Sequence, residues 1–139
     1  MVQIICGEKG KGKTKHLLER VNDMVKKANG NVVYIDKNTK KMYELSNKIR
    51  LINVRDFPIS NSDEFLGFIC GIISQDHDLE EMFLDSFLTI SNTKDDEIDH
   101  VIRKLEAISD NFHVNFVLSV SKNSDTLSDD IKDYIVVDL

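Results

Sequence analysis

The stretch Val2-Gln3-Ile4-Ile5-Cys6-Gly7-Glu8-Lys9-Gly10-Lys11-Gly12-Lys13-Thr14-Lys15, with Leu17, Leu18, Val21, Met24, Val25 and Ala28 behind it, decides how this chain is to be read. Its first five residues are a short apolar run that ends at Gly7, the pattern of a buried strand. Residues 7–14 then spell G-x-x-x-x-G-K-[ST]. The apolar residues that follow share one helical face, and Asn29-Gly30-Asn31 stops the helix. A strand, a glycine-rich turn and a helix in direct succession aim the turn's amides and the positive helix end at one place, which favours an anion. The glycines permit backbone with positive φ, so the amides of residues 10–15 can turn inward. Lys13 supplies a point charge for β- and γ-phosphates, and the Thr14 hydroxyl a ligand for Mg²⁺. Residues Gly7, Glu8, Lys9, Gly10, Lys11, Gly12, Lys13, Thr14 and Lys15 are therefore expected to cradle the phosphates of ATP or another nucleoside triphosphate.

Charge is distributed unevenly around this stretch. Of 139 residues, 41% are apolar and 30% charged, with a formal net charge of −6. Residues 1–50 hold 12 Lys/Arg against 5 Asp/Glu, a local +7, and residues 51–139 hold 6 against 19, a local −13. Lys9, Lys11, Lys13 and Lys15 crowd into seven residues, an unfavourable arrangement unless an anion is near. The negative total and the lack of interleaved aromatic and basic residues do not indicate nucleic acid as the partner. No run approaches the roughly 20 apolar residues that span a bilayer, so no membrane insertion is expected. The first residues lack the features of a secretory signal. Cys6 and Cys70 form no C-x-x-C and suit reduced thiols of a cytoplasmic protein.

Beyond the opening unit, Val32–Ile35 reads as a strand ending at Asp36, and the lysine-rich residues 37–47 as a loop or hairpin. Arg50–Val54 reads as an edge strand. Phe65, Leu66, Ile69, Ile72 and Ile73 outline a helix capped by Asn61 or Ser62. Met82-Phe83-Leu84 is a buried strand running into Asp85. Ile98, Val101, Ile102, Leu105 and Ile108 mark a helix with Thr93 as its N-cap, followed by a strand over 114–120, a short helix over 126–133 and a last strand over 134–137. Such alternation predicts one α/β domain over residues 1–139, a three-layer fold with a mostly parallel sheet and helices on both faces. Ligands of such sheets bind beyond the strand C-terminal ends, where Gly7, Asp36, Asp85 and Ser119–Ser121 gather.

A cation on a triphosphate retains waters that need a carboxylate at a strand end. Asp85 is expected to serve there beside Thr14, with Asp36 second and a candidate, with Lys13, for a catalytic part. Asp76-His77-Asp78 reads as a polar turn, and no histidine pair has the i, i+4 spacing of a zinc site. Ser119 and Ser121 suit a polar sensor of the terminal phosphate. No spacing selects Arg20, Arg50, Arg55 or Arg103 as a charge stabiliser.

With these residues named, the chain resembles a P-loop NTPase core of the RecA/DnaB type. Val32-Val33-Tyr34-Ile35-Asp36 is similar to the strand after the P-loop helix in that superfamily, and Met82-Phe83-Leu84-Asp85-Ser86 to its Walker B strand. The whole chain further resembles a small family of bacterial ATP-binding proteins of uncharacterised role, often labelled twitching-motility or PilT-like. Gly30-Asn31-Val32-Val33, Arg50–Val54 and Gly67-Phe68-Ile69-Cys70-Gly71 share that likeness. The resemblance implies ATP and Mg²⁺ as cofactors. RecA-type ATPases also place a catalytic glutamate just beyond a strand aspartate, whereas here Asp36 precedes Lys37 and Asn38, and Asp85 precedes Ser86. Nucleotide binding with weak or partner-stimulated hydrolysis is thus expected, with an unidentified protein as partner. A small-molecule or nucleotide kinase and a non-catalytic nucleotide-binding adaptor are the alternatives.

Overall fold

The computed structural model describes residues 1–139. Six parallel strands form a single sheet: β1 (Val2–Cys6), β2 (Asn31–Asp36), β3 (Ile49–Asn53), β4 (Leu79–Leu84), β5 (Asn115–Val120) and β6 (Ile135–Asp138), in the order β3-β2-β4-β5-β1-β6. Five helices connect them: α1 (Lys13–Lys27), α2 (Ser62–Gln75), α3 (Phe87–Ile90), α4 (Ile98–Phe112) and α5 (Asp129–Lys132). The expected α/β architecture is the one observed, and no helix is long and apolar enough to cross a membrane.

Successive strand residues face opposite sides of the sheet, and both sides are covered, so the strands read as continuous apolar runs. On one side Leu17 and Val21 of α1 pack with Ile5, Val32, Tyr34, Phe83 and Val117. On the other, α2, α4 and α5 bury Phe65, Ile69, Val101, Leu105 and Ile131 against Ile4, Val33, Ile35, Met82 and Leu118. Connections therefore leave β1 over one face and β5 over the other. The crevice between these neighbouring strands, at their C-terminal ends, is the point where the winding reverses and where such sheets bind ligands.

Helix ends follow local chemistry. The Asn61 side chain caps α2 by accepting from Glu64 N–H at 2.8 Å, as the sequence suggests. Thr93 does not cap α4: its hydroxyl pairs with Ser91 Oγ at 2.6 Å inside the protein. The turn before α4 instead closes through Lys94 N–H to Glu97 Oε1, 3.0 Å. Residues 126–133 are not one helix, because buried Leu127 is extended (φ −88°, ψ 146°) and splits a 3₁₀ turn from the one-turn α5. Residues 37–47 form a loop with one 3₁₀ turn, Met42–Glu44, rather than a hairpin. β4 begins at Leu79, earlier than the apolar residues announce, because Leu79 and Glu81 pair with Asn31 and Val32. Asp76-His77-Asp78 is a turn: the Asp76 carboxylate accepts from Asn31 Nδ2 and Asp78 N–H.

Two positions beneath the sheet make the packing testable. A Cβ on Gly30 would lie 2.0 Å from the Asp78 carbonyl oxygen, a backbone atom that cannot step aside. Gly30→Ala is expected to lower stability by about 1–3 kcal/mol, read as a shift in the urea midpoint. Glu81 is buried on β4 and accepts from Asn115 Nδ2 at 3.1 Å. Burial raises its carboxyl pKa, with Glu80 adding to the effect and Asn115 opposing it. Because the folded form holds this proton more tightly, its stabilising contribution is present below the unfolded value of about 4.3 and is lost as pH rises through the folded one. Glu81→Gln should therefore be more stable than the parent at neutral pH, with the difference closing near pH ~4, measured by thermal melts across that range.

Candidate functional site

The loop after β1 leaves several of its backbone donors unpaired. Gly10 and Gly12 have φ of 89° and 91°, in the left-handed region that favours glycine. Gly12 then stands at the N-cap of α1, with no side-chain cap and no acidic residue in the first turn. α2, by contrast, has Asn61 as its cap and Asp63 and Glu64 in its first turn. The N–H groups of Gly10, Gly12, Lys13, Thr14 and Lys15 make no hydrogen bond within the protein, and together with the helix dipole they form a concentrated site of positive potential. One expected donor is used internally: Lys11 N–H bonds the Glu8 carbonyl at 3.3 Å.

Lys13 is 8% exposed, and its Nζ donates to the Glu8 carbonyl at 2.9 Å. Burial lowers its pKa, opposed by the Asp85 carboxylate. An ammonium group so placed, with a carbonyl as its hydrogen-bond partner, is short of negative charge.

Period-2 alternation aims the remaining groups. Tyr34 and Asp36 on β2, Asp85 after β4 and Ser119 on β5 leave the sheet on the face that α1 covers, and they converge on Asp85. Its carboxylate accepts from Thr14 Oγ1 at 3.2 and 3.3 Å, from Tyr34 Oη at 2.8 Å and from Ser119 Oγ at 2.9 Å. Lys41 Nζ lies 3.3 Å from Asp85 and 2.6 Å from Asp36. Burial works against the charge on Lys41, but its hydrogen bond to Asp36 and the field of Asp85 outweigh this and raise its pKa. Burial and then Asp85 push the Tyr34 phenol far above its ordinary range, so it stays a neutral donor. Ser119 is also an acceptor, taking the Ser86 N–H at 2.7 Å. Ser86 is itself in a left-handed conformation, φ 54°, strained backbone directly after the central carboxylate.

Above these groups lies a cavity of about 570 Å³, lined by eleven residues of which none is hydrophobic. Lys9, Gly10, Gly12, Lys13, Thr14 and Asp85 belong to it, as do Ser119 and Ser121. Gly7, Glu8, Lys11 and Lys15 do not line it. Gly7 supports the loop from below, where a Cβ would meet Leu139 Cβ at 3.0 Å. The exposed Glu8 carboxylate accepts from Asn123 Nδ2 at 2.7 Å. Asp36 is fully buried, with Oδ1 taking Lys37 N–H at 2.7 Å and Oδ2 taking Lys41. It does not line the cavity, and both of its oxygens are engaged. None of the four arginines lines the cavity either.

The sequence did not single out Lys37, Ser86 or Thr89, which line the cavity, or Tyr34 and Lys41, which hold Asp85 from beneath and beside it. Only strand parity could have pointed to Tyr34, two residues before Asp36 on the same face. No protein-family model matches the chain, and no curated protein matches it.

Tyr34→Phe keeps the buried ring and removes the donor to a charged acceptor. The expected loss of stability is about 1.5–3 kcal/mol, with the far-ultraviolet circular dichroism of the folded protein unchanged, measured by urea unfolding.

Proposed function

We propose that this chain binds the polyphosphate of ATP or another nucleoside triphosphate together with Mg²⁺, and that it hydrolyses the nucleotide slowly unless a protein partner completes the site. The observation that carries this reading is the uncapped start of α1: unpaired amides and a buried ammonium group border a cavity lined by no hydrophobic residue. An anion with several oxygens can satisfy them together. The likeness of residues 7–14 to a P-loop supports the same ligand class.

The residues also fit Mg²⁺. No group of three or more His, Cys, Asp or Glu is gathered anywhere in the fold, so a cage made of protein side chains alone is not built. Mg²⁺ on a nucleotide needs no such cage, because phosphates and waters fill most of its octahedron. Thr14 and Asp85 would hold it, and their existing hydrogen bond is compatible with the hydroxyl offering a lone pair to a cation. Bound there, the ion would neutralise charge developing on the phosphates.

The chain's own residues supply binding and orientation. The amides and Lys13 hold the phosphate chain, Ser119 and Tyr34 fix the Asp85 carboxylate, and Ser119 and Ser121 border the far side of the cavity. A water-positioning carboxylate is not among the lining residues apart from Asp85, which supports slow turnover by the isolated chain.

Two measurements follow. Lys13→Ala should weaken Mg-ATP binding by at least about tenfold in calorimetry, the loss of a charge-assisted contact, while melting as a folded protein. Unchanged affinity removes Lys13 from its role. Phosphate release by the isolated chain should stay below about 1 s⁻¹, the lower end of ordinary turnover. Faster release would contradict the slow-turnover reading, and a phosphorylated acceptor would make the protein a kinase instead.

A further inference from the structure

The segment 37–48 between β2 and β3 touches the carboxylates of the site through one side chain. Lys41 reaches inward to Asp36 (2.6 Å) and Asp85 (3.3 Å) and is 20% exposed at its side chain, while its neighbours Met42 and Tyr43 are 52% and 92% exposed. The segment is tethered near its far end to α1, where Asn22 Nδ2 donates to the Glu44 carbonyl (2.8 Å) and Asn22 Oδ1 accepts from Ser46 N–H (2.9 Å). At its near end it leaves β2 directly, Lys37 N–H bonding Asp36. It is a strap fixed at both ends and latched in the middle by one ammonium group.

That ammonium group stands beside the carboxylate assigned above to the cation. Asp85 also receives Thr14, Tyr34 and Ser119, so its oxygens are fully occupied while Lys41 stays. Two cations a few ångströms apart repel strongly in a partly buried site. We propose that Lys41 is a built-in counter-cation for Asp36 and Asp85, and that divalent metal arriving with nucleotide displaces it from Asp85, unlatching the strap and the exposed Met42-Tyr43 tip. The strap thereby couples occupancy of the site to the mobility of a surface segment, because the ligand binds the unlatched state better. This inference rests on the reading of the site as one for metal and nucleotide.

The test uses the full chain in two arms. In the first, hydrogen exchange of amides in residues 38–46 is followed without ligand, with Mg²⁺ alone, and with Mg²⁺ plus a non-hydrolysable ATP analogue. Binding of the analogue is measured on the same sample by calorimetry. Exchange in the strap should rise by about tenfold on loading, the signature of a lost local latch, while the sheet becomes better protected. Bound analogue with unchanged or slower strap exchange overturns the latch. No binding of the analogue overturns the nucleotide reading instead, and the second arm then decides the latch alone.

In that arm Lys41→Met is compared with the parent using Mn²⁺ alone, its binding read by electron paramagnetic resonance. Removing the competing charge should tighten Mn²⁺ binding by at least about tenfold. The variant should also melt lower than the parent without metal and recover with Mn²⁺, which would leave the parent's melting unchanged. A Lys41 that is only a structural ion pair gives the lower melting temperature without tighter metal binding or recovery, and that result overturns the proposal. Should the variant fail to fold even with Mn²⁺, the counter-cation role is likewise overturned.

Discussion

A single buried carboxylate organises the top of this fold. Asp85 is 1% exposed, and a charge so placed is tolerable only when its oxygens are bonded on every side. The donors come from four separate places: Thr14 on α1, Tyr34 on β2, Ser119 on β5 and Lys41 on the loop after β2. The first three are delivered by ordinary secondary structure, through strand parity or the first turn of a helix, and Lys41 by the return of its loop. Satisfying Asp85 therefore fixes the rotation of α1 about its axis and the relative heights of three strands. It also brings the glycine loop, which leads into Thr14, to its place over the β1–β5 crevice. Asp85 is also one of the residues that line the cavity.

The loop provides the complementary half. A helix normally hides its unbonded amides behind a cap, as α2 does with Asn61. α1 leaves them open, preceded by two glycines in left-handed conformations and accompanied by a lysine whose one hydrogen-bond partner is a carbonyl. These are local costs that a folded protein does not ordinarily retain without compensation. One end of the site is thus rich in donors awaiting an acceptor, and the other is rich in acceptor charge already balanced from within. An anion would meet the first condition.

Much of this was legible in the sequence because it rests on short-range rules. The motif at residues 7–14, the alternation of apolar strands with amphipathic helices, and the strand-end positions of Asp36 and Asp85 are all set by spacing along the chain, and the fold follows them. What escaped was set by tertiary packing. Lys41 looked like one lysine among several in a polar loop, and only the return of that loop over the strand ends brings it to two carboxylates. Thr93 had the identity of a helix cap but is drawn inward by Ser91, leaving Lys94 and Glu97 to close the turn. Asp36 occupies the strand end its sequence position implies, yet Lys37 N–H and Lys41 consume its oxygens. Composition cannot announce such competition among partners.

The strand order gives the site a mechanical character. β5 lies between β1, which leads into the glycine loop, and β4, which leads into Asp85, so those two strands stand about 9–10 Å apart, twice the spacing between neighbouring strands. A ligand held by both would act as a brace across the middle of the sheet, joining strands that share no hydrogen bonds and come from distant parts of the chain. Its grip would be felt as resistance to shear between β1 and β4 through the whole width of the core. Rigidity gained in this way belongs to the entire domain rather than to the loop that touches the ligand.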